Sequence, residues 1–337
     1  MSAHPASAVI SYLHKHNLWI TKKDVAGVKL THTFMDGRHG GKVVIPPSHT
    51  NPFRDAIAAD VERGILPPLN ELKYYETFNF FCDFDIKADS VEKLPDVQKL
   101  AAVVVTVVAK FVTTWPDLRV VVLSAPDKNL GDGTIKRGVH LHFPNLVVGM
   151  EESLLMREAC ADQLTRDMGV IDWADAFDNA PYVNPAGGLR VVGASKAMEC
   201  SYCCNKLPAR KECCQCEYRG KVESSPPQRY TLVSCIGADG LVDEQRTSFL
   251  KANVAALVHA TAVQTAQGAP VRPEWARFPG CPSFSAPRMS GAKKVPTAGS
   301  RKREFAEDKK SMKSWPQIDV VDPAKLKCLQ NIFRTRF

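Results

Sequence analysis

The stretch NFFCDFDIK, residues 79–87, sets two carboxylates, Asp83 and Asp85, inside a run of aromatic and aliphatic side chains. A two-residue period sorts them: Phe80, Cys82, Phe84 and Ile86 share one strand face, Asp83 and Asp85 the other. Residues two apart lie about 6.5–7 Å apart along a strand, so the two carboxylates can converge on one or two metal ions. An edge strand with one wet face gives the same pattern. The surroundings of the pair decide between the two.

Outward from this strand (about 77–86) the order is readable. A Val-rich helix is expected over about 91–114, then two strands, LRVVVLSAP (118–126) and GVHLHFPNLVV (138–148), joined by a Gly/Asp loop. A second helix, EESLLMREACADQLTRDMG (151–169), opens with acids and closes at Gly169. GLRVVGAS (188–195) supplies a last strand. The order predicts an α+β fold with an RRM- or ferredoxin-like split βαββαβ core, the first strand central beside the third. An N-terminal α/β subdomain is expected over 1–75, with the hairpin signal MDGRHGGKVVIPP and an amphipathic helix whose Phe53, Ile57 and Val61 share a face. The core runs over 76–250, a helical or irregular extension over 251–285 and a basic tail over 286–337.

The third strand presents KRGVHLHFP, with His140 and His142 on one face, Gly138 two residues earlier, and Lys136 and Arg137 at its entry. IDWADAFDNAPY adds Asp172, Asp175 and Asp178, and GGLRVVGASK brings Arg190 and Lys196. Acids that hold divalent metals beside cations that neutralise phosphate oxygens suit nucleoside triphosphate chemistry.

Together CDFDIK, KRGVHLHFP and DNAPYVNPAGGLRVVGASK resemble the motifs of the archaeo-eukaryotic primase superfamily, closest to primase-polymerases and the primases of large eukaryotic DNA viruses. The similarity covers roughly residues 30–235, and it rests on the order and spacing of short motifs. It implies a DNA primase or primase-polymerase that makes primers on single-stranded DNA from NTPs or dNTPs by two-metal nucleotidyl transfer. Asp83, Asp85 and Asp178 would then hold Mg²⁺ or Mn²⁺, Asp178 being chosen because Tyr182 follows it at the family's spacing. His140 would contact nucleotide phosphates, and Arg190, Ser195, Lys196, Lys136 and Lys42 would join the nucleotide site. The serine of the family's small-x-His motif is Gly138 here, leaving a backbone N–H in place of a hydroxyl.

Six of the eleven cysteines crowd into 200–216. Cys200-x2-Cys203 and Cys213-x2-Cys216 form two knuckles whose four thiolates suit a structural Zn²⁺, with Cys204 and Cys214 as alternatives one residue out of register. Lys206, Arg210, Lys211, Arg219 and Lys221 surround the cluster and suit template phosphates, although a zinc staple that only stabilises a loop fits equally. Viral members of the family resemble this chain in having a Cys-rich insertion here.

The net charge of +8 belongs to the tail: from Arg288 onward there are 13 Lys/Arg against 5 Asp/Glu. That Gly/Ser/Pro/Lys-rich tail reads as disordered; it could bind nucleic acid, carry a nuclear import signal or act as a linker, and DPAKLKCLQNIFRTRF at its end regains apolar residues suited to a short helix. No signal peptide or spanning segment is read, so an intracellular protein of nucleus or cytoplasm, or of a viral replication site, is expected. No G-x-x-x-x-G-K-[ST] occurs, so a replicative helicase would be a separate partner.

Two rival readings remain at this stage. VHLHF matches the His-hydrophobe-His signature of rolling-circle replication endonucleases, with Tyr202 and Lys206 at the Y-x-x-x-K spacing of their nucleophile. A zinc-dependent nucleic-acid-binding protein without catalysis is the other.

Overall fold

The buried carboxylate of Asp60 organises the start of the chain. It accepts the backbone N–H groups of Ala8 and Val9 at 2.8 and 3.0 Å and the Ser7 hydroxyl at 2.5 Å. This ties helix α1 (Ala8–Lys15) to helix α2 (Thr50–Glu62), from which Phe53 and Ile57 enter the core. Strands β1 (His32–Phe34), β2 (Lys42–Val43) and β3 (Leu69–Leu72) follow the antiparallel order β2-β1-β3. The computed structural model describes residues 6–20, 28–35, 41–112, 117–169, 171–184, 187–204, 213, 221–224 and 228–265.

Strand β4 (Phe78–Ala88) carries the acidic pair. Phe80, Cys82, Phe84 and Ile86 are fully buried, while Asp83 and Asp85 on the other face are half-exposed. Helix α3 (Val97–Phe111) forms despite its valines because Asp96 caps it, accepting the Lys99 N–H at 2.8 Å, and because one stripe goes into the core. Leu100, Ala101, Val104, Val105 and Val108 make that stripe. Strands β5 (Arg119–Ser124), β6 (Lys128–Asn129) and β7 (Ile135–Val148) come next, then helix α4 (Met150–Met168), which packs on α3. Strand β7 lies between β4 and β5, antiparallel to both.

The fourth strand departs from the sequence reading. The expected strand at 188–195 is the short β8 (Gly188–Arg190), and it pairs with β3 in the N-terminal sheet. Gly188 allows this: a Cβ there would lie 2.0 Å from the Glu71 carbonyl oxygen. The chain then turns at Gly193, where φ is 75°. The main sheet is completed instead by β11 (Thr231–Gly237) beside β5, giving the order β11-β5-β7-β4. Strand β4 is therefore at the edge and not the centre. Its outer edge bridges to Phe177 and Gln264, on segments that fold back onto it.

Two short helices, α5 (Trp173–Ala176) and α6 (Ala180–Val183), frame Phe177 and Asp178. A two-stranded ribbon, β9 (Ala197–Glu199) with β10 (Lys221–Glu223), carries the cysteine segment. Helices α7 (Glu244–Ala252) and α8 (Val254–Ala260) return to the N-terminal layer, where α8 packs on α2. Residues 261–265 then latch the two sheets. Asn79 bonds the carbonyls of Ala262 and Val263 at 2.9 Å each, and Glu71 accepts the Val263 N–H at 2.8 Å. One hydrophobic cluster runs from Val9 and Phe53 to Val121, Leu123 and Tyr230, so residues on both sides of position 75 share a core. The tail beyond 265, residues 36–40, and Cys214, Cys216 and Lys206 lie outside the described residues. No described helix is long and apolar enough to cross a membrane.

Two histidines of the core are buried as neutral rings. Burial, then the nearby Arg54, holds His32 down from 6.5 to about 3, and burial, then His140, holds His142 well below its ordinary value. Both titrate near pH 6.5 when unfolded. Between pH 6.5 and 3 the unfolded chain thus binds more protons, and stability falls as pH falls. The His32 ring is expected to cost roughly 2 kcal/mol between pH 7 and pH 5, and His142 acts in the same direction. Urea denaturation at both pH values checks this. The pH dependence should shrink in His32→Gln, and equal wild-type stability at pH 7 and pH 5 would contradict it.

Candidate active site

The register of β4 against β7 places Asp83 opposite His140 and Asp85 opposite Gly138. Each carboxylate faces a cationic or ionisable partner. His140 Nε2 lies 3.4 Å from Asp83 Oδ1, and Lys136 Nζ lies 2.6 Å from Asp85 Oδ2. His140 is buried, and among the described residues its Nδ1 has no hydrogen-bond partner. His142 lies on the same face, buried, its Nε2 also without a partner among the described residues.

Asp178 reaches this place from the other side of β4. Its N–H donates to the Asp83 carbonyl at 2.9 Å, and its carboxylate accepts the Ala180 N–H at 2.8 Å. Burial raises its pKa first, and Asp83 and Asp85 raise it further, against the pull of the Ala180 N–H and Arg157. The three acids therefore feel one another. The Tyr182 hydroxyl donates to the Phe81 carbonyl, and its ring stacks 5.2 Å from that of Phe81. The tyrosine after the third acid thus acts as a peg that holds the Asp178 segment to β4. On the α4 side, the buried Arg157 guanidinium donates to the Phe177 carbonyl at 2.9 and 2.6 Å and to that of Ala174 at 2.5 Å.

Above the acids a cleft of about 230 Å³ opens between the two sheets. Pockets that enclose a whole drug-sized ligand run to roughly 300–1,000 Å³, so this one suits part of a nucleotide. Lys136, Arg190 and Lys196 line it with Asp83, Asp85 and His140. The cations crowd one another: burial lowers the Lys196 pKa, and Lys136, Arg190 and Lys128 lower it further. Such a cluster is a binding place for a polyanion. Ser195 also lines the cleft; it is fully buried, and its Oγ has no partner among the described residues. Lys42 is exposed on β2 and is not among the lining residues. The sequence reading missed Met35, Asn70 and Tyr230, which line the cleft. Met35 opens the hairpin signal, whereas Asn70 and Tyr230 belong to no motif, and Asn70 is brought there by its pairing with Arg190.

The donor set of Asp83, Asp85 and Asp178 is all oxygen, as hard divalent cations such as Mg²⁺ and Mn²⁺ require. A different set is already tight. Among the described residues, one group of potential ligands has all its donor atoms within 4.8 Å of one another: Cys200, Cys203 and Cys213. Cys200 Sγ lies 3.7 Å from Cys213 Sγ. The N–H groups of Cys203 and then Tyr202 point at the Cys200 sulfur and lower its pKa, favouring the thiolate that binds metal. Cys204 is exposed with φ of 47° and is not in the group. Tyr202 sits in the turn between Cys200 and Cys203, exposed and on no helix.

Residues 31–207, more than half of the chain, match the family described as the C962R protein N-terminal AEP domain. No curated protein matches the chain.

Arg157 touches nothing in the cleft, yet it holds the segment that presents Asp178. Arg157→Met keeps the aliphatic stem and leaves the carbonyls of Ala174 and Phe177 without their donor. A loss of about 2–4 kcal/mol is expected, read as a lower urea midpoint. An unchanged midpoint would show that the segment is held without it.

Proposed function

Since the chain belongs to the C962R N-terminal AEP domain family, within the archaeo-eukaryotic primase superfamily and related to viral primases, we propose that it synthesises primers on single-stranded DNA from NTPs or dNTPs. The observation that carries this reading is a cleft lined by Asp83, Asp85, Lys136, Arg190 and Lys196, with Asp178, which is not among the lining residues, tied by its backbone N–H to the Asp83 carbonyl. Acids at the floor and cations at the wall match the two ends of a nucleotidyl transfer.

Asp83, Asp85 and Asp178 are the residues that would hold Mg²⁺ or Mn²⁺, which supplies activation of the attacking 3′-hydroxyl and stabilises charge on the leaving pyrophosphate. The chain itself does the rest. Lys136, Arg190 and Lys196 neutralise the triphosphate oxygens, and the Ser195 hydroxyl donates to one of them. His140, fixed against Asp83, presents its second nitrogen to a phosphate. No protein nucleophile takes part. Tyr202, the nucleophile required by the endonuclease reading, lies in a turn of the cysteine segment.

The cysteine triad, with Cys216 as fourth ligand, forms a structural Zn²⁺ site in this reading. It hangs on the β9–β10 ribbon, which starts directly after Lys196, so the knuckle meets the template beside the nucleotide. The protein acts inside the cell with a separate helicase.

The decisive test is incubation with circular single-stranded DNA, labelled nucleotides and Mg²⁺ or Mn²⁺, with sizing of the products. Short primers are expected from the wild type, and Asp83→Ala should lose them by at least about 10³-fold while keeping its circular dichroism spectrum. Dinucleotide formation by that variant at the wild-type rate would refute the assignment of Asp83. For the knuckle, about one zinc per chain is expected by elemental analysis, with most of it lost in Cys203→Ser. Equal zinc in both proteins would remove the proposed site.

A further inference from the structure

Tyr230 belongs to no motif, yet His140, Arg190 and Gly138 all meet it in the cleft. Its ring stacks on His140 with centroids 3.5 Å apart and planes 24° apart. Its other neighbour is the Arg190 guanidinium, 4.7 Å from the ring centroid. Arg190 is held there by its own bond to the Gln228 carbonyl at 2.6 Å, two residues from Tyr230. The Tyr230 hydroxyl fills the notch left by Gly138: a Cβ at 138 would lie 2.5 Å from that oxygen. Gly138 is directly opposite Asp85 in the β4–β7 register. The missing side chain on β7 is thus replaced, in space, by a hydroxyl that arrives from the residue just before β11.

We infer that Tyr230 is a nucleotide-binding residue whose hydroxyl donates to a phosphate oxygen of the incoming triphosphate from the position a side chain at 138 would otherwise occupy, while its ring positions His140 and Arg190. The inference rests on the nucleotide reading of the cleft. Its own content is the reciprocity between positions 138 and 230. Burial, reinforced by Asp83 and Asp85, keeps the phenol protonated and so a donor.

The reciprocity can be measured by calorimetric binding of ATP and dATP with Mg²⁺, which needs no turnover. Tyr230→Phe keeps the ring and should bind about tenfold more weakly, as for loss of one hydrogen bond to a charged group. Gly138→Ser alone places its side chain against the hydroxyl and should bind more weakly still. The double variant Gly138→Ser/Tyr230→Phe removes the clash and restores a hydroxyl, and should recover to within about threefold of wild type. Primer synthesis by Tyr230→Phe should show the loss in KM, with kcat within about twofold. Binding by Tyr230→Phe within twofold of wild type, or a double variant no better than Gly138→Ser, would overturn the assignment. If Gly138→Ser does not fold, the Tyr230→Phe arm decides alone. The expected binding pattern without any primer synthesis by the wild type would keep Tyr230 and sink the polymerase reading. Primer synthesis with binding indifferent to Tyr230→Phe would do the reverse, and a wild type that binds no nucleotide would sink both.

Discussion

The register between β4 and β7 is the constraint on which the rest of the structure depends. Ten paired positions fix it, and two of them put Asp83 against His140 and Asp85 against Gly138. A slip of one residue would turn both carboxylates into the layer that now holds Phe80, Cys82, Phe84 and Ile86. That cannot be accommodated, since those four side chains are fully buried. The hydrophobic side of β4 therefore sets where the acids stand, although it makes no contact with a ligand. The Asp178 segment depends on the same strand, because its hydrogen bond goes to the Asp83 carbonyl and its tyrosine peg to that of Phe81.

Electrostatics then explains why the cleft keeps so many charges at close quarters. Asp85 has Lys136 and Asp83 has His140, so neither acid lacks a partner. The third acid does less well. Asp178 is pushed towards its protonated form by burial and by the other two, and a divalent cation would reverse that push. The cations of the wall have the opposite problem, for Lys196 is discouraged from its charge by burial first and then by Lys136 and Arg190. In the proposed reading a metal-bound polyanion would answer both at once.

The sequence made the main strand legible because its signal is local. The alternation from Phe80 to Ile86 requires a strand, and the length of the Val-rich run marks a helix, whose Asp96 cap and buried stripe the structure then supplies. It was also enough to bring Asp83, Asp85, His140, Lys136, Arg190 and Lys196 to one cleft. What stayed hidden were the choices made between distant segments. Nothing in GLRVVGAS says which of two sheets it joins. That choice turns on Gly188 fitting under the Glu71 carbonyl, a contact with a residue more than a hundred positions earlier. Asn70 reaches the cleft through the same pairing, since its register partner is Arg190.

The family match ends at residue 207, but the cleft does not. Strand β11 closes the main sheet on the β5 side, and Tyr230, one residue before it, lies against His140, Gly138 and Arg190. The latch at 261–265 joins β3 to β4 from beyond the matched residues as well. Residues after the cysteine segment are therefore part of the same folding unit as the acids, and the segment is an insertion within that unit and not its end. This follows from hydrogen bonding alone. With β11 removed, the outer edge of β5 would lose its partner from Arg119 to Ser124, and the buried N–H and carbonyl groups there would have no other strand to meet. A chain cut after residue 207 would keep every family motif and still lack the strand that completes its sheet and the ring that supports its histidine.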